Sequence, residues 1–142
     1  MTCRPTRIIC VGNRYLSSDD LGPRVYDLLA DRAISDGVEL IDGGLHGLDL
    51  LRLVDGTRRI VFVDAVEGFS EPGAIVTLPC RTVAALAEGA WGHGAGLPHL
   101  FRLLPLTCEG DIPEVVLVGT ELPAPSTVVA EVADRALAEA MR

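Results

Sequence analysis

Apolar residues come in short unbroken blocks along this chain. Residues 8–11 (IICV), 60–63 (IVFV) and 115–118 (VVLV) have no polar interruption, as in strands covered on both faces within a parallel sheet. Residues 38–41 (VELI) read as a weaker strand. Residues 74–78 (AIVTL), fenced by Pro72-Gly73 and Pro79, read as an edge strand. Between these blocks the apolar spacing changes to that of helices. Leu21, Val25, Leu28 and Leu29 share one face, with Pro23 acceptable in the first turn. Leu48, Leu51 and Val54 form a second stripe, and Leu97, Leu100, Phe101 and Leu104 a third. The last stripe holds Val128, Val129, Val132, Ala133, Ala136, Leu137 and Ala140, which leaves Glu131, Asp134, Arg135 and Glu139 to face water. Strands alternating with helices predict a three-layer αβα sandwich. With no repeat and no linker, one domain is expected over 1–142.

Composition narrows the partners. Twelve basic against twenty acidic residues give a net charge of −8, which argues against a surface built to displace counterions from nucleic-acid phosphates. A neutral, cationic or metal-bearing partner is expected instead. Cys3, Cys10, Cys80 and Cys108 contain no CxxC pair and read as reduced packing residues of a cytoplasmic protein. The N-terminus lacks the apolar core of a signal peptide. No apolar run approaches the ~20 residues that span a bilayer.

In such sheets ligands sit beyond the carboxyl ends of the parallel strands, near the switch in strand order. The first strand leads into Gly12, Asn13 and Asp19, and the second into Asp42-Gly43-Gly44. The third ends at Asp64, and the last at Gly119-Thr120-Glu121. Four strand ends therefore bring acids or amides to one rim. Carboxylates with an imidazole would suit zinc or nickel. Of the three histidines, His99 falls between Leu97 and Leu100 on a helical stripe, and His46 lies in a loop at the rim. His93, in "WGHGAG", has glycines that let the backbone swing its ring toward a neighbour. Each residue also has a structural use: Asp19 or Asp20 as a helix cap, Asp64 as an acceptor for loop amides, His93 as a surface residue. Their common placement favours a site.

Taken in order, "CVGNRYLSSDDLGPRV", "ELIDGGLHGLDLL", "RIVFVDAVEGFSEPGAI", "WGHGAGLPHLFRLL" and "EVVLVGTELP" resemble the hydrogenase maturation endopeptidases along nearly the whole chain. The resemblance implies a twisted, mainly parallel but mixed five-stranded sheet. It also implies a hydrolase, an aspartyl-type or metal-dependent endopeptidase. Its partner would be a nickel-iron hydrogenase large-subunit precursor, cut at its C-terminal extension after nickel insertion. Nickel supplied by that precursor would serve as recognition element, with no organic cofactor. The family's metal-contacting residues map to Asp19, Asp64 and His93 when Gly22-Pro23 is aligned to the family's glycine. Aligning the acidic pair instead makes Asp20 the first-loop ligand. Leu45 stands where many members carry a small or hydroxyl residue, and the segment after Gly119 is shorter than is common.

Two other readings compete. One is a non-catalytic, nickel-sensing accessory that binds the precursor, since no nucleophile–base pair is evident. The other is a peptidyl-tRNA hydrolase-like enzyme, which the acidic charge disfavours.

Overall fold

The computed structural model describes residues 4–45, 48–84 and 112–142. The expected third helical stripe (Leu97, Leu100, Phe101 and Leu104), the three histidines, Cys3 and Cys108 lie outside the described residues.

Five strands form the sheet: β1 (Thr6–Val11), β2 (Val38–Gly44), β3 (Arg59–Val66), β4 (Ile75–Pro79) and β5 (Glu114–Glu121). Their spatial order is β2-β1-β3-β5-β4. Four are parallel, and β4 closes one edge antiparallel to β5. The sheet is thus mixed but mainly parallel. The three unbroken apolar runs are its three central strands, β1, β3 and β5, and every residue of β3 is buried. Strands with cover on both faces have no solvent side to spend polar residues on, which is why these runs show no alternation.

Alternating side chains divide two cores. On one face Ile8, Cys10, Val61, Val63 and Val118 pack under helices α1 (Leu21–Ala30) and α3 (Val129–Ala140). On the other, Ile9, Ile60, Phe62 and Leu117 meet Leu50, Val54 and Val83. Val83 belongs to the short helix α2 (Cys80–Ala84). The three layers follow from these two coats.

The structure revises several details. The Leu48, Leu51 and Val54 stripe is no α-helix but a six-residue 3-10 segment, Leu48–Leu53. Among its described side chains Leu50 is buried. The strands also run further than their apolar blocks: β2 takes in Asp42-Gly43-Gly44, and β3 continues two residues beyond Asp64. Glu139, expected to face water, is buried. It lies at the amino end of the sheet, where Arg59 reaches it. Arg59 Nε donates to the Glu139 carbonyl at 2.8 Å, Nη2 lies 3.4 Å from Oε2, and Nη1 reaches Glu114 at 2.6 Å. A charge removed from water needs a partner, and Arg59 supplies it from 80 residues away.

Candidate active site

Strand β1 lies between β2 on one side and β3 on the other, so the order of the sheet reverses at its carboxyl end. The loop 12–20 leaves from this point. Gly12 starts it with φ at +145°, and a Cβ there would run into the carbonyl oxygen of Asp19. Only glycine lets the chain fold back so tightly. The Asn13 N–H then donates to both the carbonyl (2.9 Å) and Oδ2 (3.2 Å) of Asp19. Asn13 Oδ1 accepts from the Tyr15 N–H at 3.0 Å, an Asx turn that shapes the loop. Just past the loop, Gly22 lies in the first turn of α1, and a Cβ there would land on the backbone of Val11. Helix and strand therefore meet backbone to backbone, and Asp19 is held at both ends of its loop.

On the neighbouring strand, Asp64 shares a face with Ile60, Phe62 and Val66 by alternation, yet carries a carboxyl that is only 6% exposed. Its Oδ1 accepts the Ala65 N–H at 2.8 Å. Gly119, its register partner on β5, adds no side chain beside it. Burial pushes the Asp64 carboxyl well above the usual carboxylate range, the negative charge of Asp19 pushes it further, and the Ala65 N–H only partly offsets them. The charge of Asp19 thus bears on Asp64.

The other candidates at the rim are used differently. Asp20 occupies the N-cap position of α1 but makes no capping bond with its side chain. Its Oδ2 instead accepts from Arg24 Nε at 2.8 Å, one turn along the helix. That leaves Asp19 as the first-loop acid coupled to Asp64. Asp42 accepts the Gly44 N–H at 3.1 Å and lies 3.5 Å from Arg14, whose guanidinium also grips Asp27. Thr120 is buried on the opposite face from Asp64, packed over Ala65 and Ile75 in register. His93, His46 and His99 lie outside the described residues.

One rim residue has a role that the sequence did not reveal. Glu121, 4% exposed, accepts N–H groups from Gly68 (2.8 Å), Phe69 (2.6 Å) and Ser70 (2.8 Å). Burial pushes this carboxyl up, but the three N–H groups outweigh it and hold Glu121 below the usual carboxylate range. Its partners are backbone groups, which no residue pattern marks. The sole hint was an acid at the end of a buried strand.

Among the described residues, no group of three or more His, Cys, Asp or Glu side chains is placed to hold a metal ion. Nor is any described helix long and apolar enough to cross a membrane.

An α/β sheet with coupled acids at its switch point defines the class. Comparison with known proteins identifies the family. The hydrogenase maturation protease family model matches residues 23–140, beginning just after the Asp19 loop. The Escherichia coli (strain K12) hydrogenase 2 maturation protease is 32% identical over 116 residues, covering 79% of this chain and 70% of that protein. The hydrogenase expression/formation protein HupM of Azotobacter chroococcum is 30% identical over 118 residues, 80% of this chain and 56% of its own. Among solved structures, the hydrogenase maturating endopeptidase HybD from E. coli superposes with a TM-score of 0.80 at 26% identity, covering 95% of this chain and 91% of that one. The chain belongs to the hydrogenase maturation protease family, and it is a peptidase.

Proposed function

We propose that this peptidase removes the C-terminal extension of a nickel-iron hydrogenase large-subunit precursor once nickel is in place, and that the precursor's own nickel is the recognition element. The observation that carries this reading is the coupling of Asp19 to the buried Asp64. Two acids held together, one in a low-dielectric setting, disfavour their joint ionisation until a cation arrives. A substrate that brings the cation satisfies them; a substrate without it does not. His93 completes the set in this reading. When bound, the precursor's nickel would supply Lewis acidity at the scissile carbonyl or at a water; Asp19, Asp64 and His93 would hold it there, and a rim carboxylate would serve as general base.

The test is a cleavage time course on nickel-loaded and nickel-free precursor, with thermal melts of each variant. The wild type is expected to shorten only the loaded precursor. Asp19→Asn, Asp64→Asn and His93→Ala are expected to stay folded and fail to cut, while His99→Ala cuts normally. Equal cleavage of the nickel-free precursor would overturn nickel recognition. Normal cleavage by both Asp64→Asn and His93→Ala would overturn the site. Stable binding without shortening would make the chain an accessory.

A further inference from the structure

A groove of about 630 Å³ is lined by residues that lie close in sequence to the acid pair. One wall is the turn containing Ser17 and Ser18, which leads directly into Asp19. Glu67 and Gly68, one and two positions beyond the end of the Asp64 strand, also line the groove. Glu121, the last residue of β5, lines it too, with Leu122, Pro123 and Ala124 just after. The 17–18 and 67–68 stretches are thus continuous in sequence with the two candidate acids.

The two stretches are fixed differently. The Ser17 and Ser18 turn belongs to the loop tied down by Gly12, Asn13 and Gly22. The 67–70 segment has no regular secondary structure of its own. Its N–H groups at Gly68, Phe69 and Ser70 all point at the carboxylate of Glu121. Glu121 is in turn fixed through its backbone: its carbonyl accepts from Gly73 at 2.8 Å, and its N–H donates to Ala74 at 2.9 Å. Immediately after it, the Leu122 N–H donates to Val66 at 2.9 Å. One side chain on a strand therefore holds the 68–70 segment, of which Gly68 lines the groove.

We infer that Glu121 is a positioning residue for the peptidase: by holding the 68–70 segment, it fixes Gly68 at the edge of the groove and keeps open the path by which the precursor's segment reaches Asp19 and Asp64. This rests on the proposed function for the identity of the occupant. Glu121 touches no reacting atom, so its loss acts on binding and leaves the chemical step to the acids.

Two substitutions separate this role from a merely structural one. Glu121→Gln is nearly isosteric and keeps an acceptor for Phe69 and Ser70, but turns an N–H₂ group against the Gly68 N–H. Glu121→Leu leaves all three N–H groups without an acceptor. Amide hydrogen exchange, the dissociation constant of the nickel-loaded precursor, and KM and kcat for its cleavage are measured for each. In Glu121→Leu, the amides of 68–70 are expected to exchange faster, with the dissociation constant and KM raised ~10-fold and kcat within ~2-fold of wild type. Glu121→Gln is expected to fall between wild type and Glu121→Leu, and it decides the matter alone if the leucine variant does not fold. Freed amides with an unchanged dissociation constant and KM would overturn the inference, as would a fall in kcat alone. A wild type that binds precursor without cutting it would remove the proposed function, and the dissociation constants would still decide the role of Glu121.

Discussion

The negative charge of Asp19 bears on the buried carboxyl of Asp64, although the two lie 45 residues apart and on different segments of the chain. Strand order produces the encounter. β1 and β3 are hydrogen-bonded neighbours, so the loop leaving one strand arrives beside the side chains ending the other.

That encounter has a cost in the free protein. An Asp in an unfolded chain titrates near pH ~3.9, whereas Asp64 in the fold holds its proton to well above that value. Below pH ~4 both states are protonated and the penalty is absent. As pH rises from there toward the folded-state value, the unfolded chain releases its proton first, and stability falls. Asp64→Asn keeps an acceptor for Ala65 and cannot ionise. Its Tm is therefore expected to exceed wild type at pH 7, by about 4 °C for each kcal/mol relieved, and to converge on wild type near pH ~3. A Tm difference that does not vary with pH would refute this.

The neighbouring acids of the first loop should separate cleanly. Asp20→Asn loses a half-exposed pair with Arg24, worth about 0.5 kcal/mol, and cleavage is expected at the wild-type rate. Asp19→Asn is expected to abolish cleavage. It should also lower the pH at which Asp64 titrates, read from the carboxyl carbon shift by NMR. The reverse pattern of activities would move the site to Asp20.

At Gly22 the contact is between backbones, so neighbouring side chains cannot yield. Gly22→Ala is expected to cost about 3 kcal/mol, the upper range for overpacking, and about 12 °C in Tm by the usual scaling. Calorimetry checks it. A shift under ~3 °C would mean that α1 can slide off the end of β1.

Chelation offers a fourth check. Two described carboxylates do not constitute a structural metal cage, so exhaustive treatment with a chelator is expected to leave the melting profile unchanged. Unfolding under chelator would identify a structural ion and remove the basis for recognition through the substrate's nickel.

The sheet was legible because its central strands are apolar without relief, and α1 and α3 because their buried positions recur at helical spacing. The site was legible in part. Asp19 and Asp64 stood out through their positions after strands, with Asp20 open as the alternative to Asp19; that Asp20 pairs with Arg24 is seen only in the structure. A hint existed, since acid and base four apart on a helix commonly pair. Glu139 looked solvent-facing because its partner Arg59 is distant in sequence. Glu121 was visible as a strand-end acid, but backbone N–H groups are present at almost every residue, so nothing in the sequence singled out Gly68, Phe69 and Ser70.

The buried Arg59–Glu139 pair sits at the end of the strands away from the acids. The two ends share no hydrogen-bond partner among the described residues. Changes made at one end should therefore add, with little interaction, to changes made at the other. This gives evolution and the engineer the same freedom: the rim can be altered toward a different precursor, and lost stability restored at the foot of the sheet without retuning the chemistry.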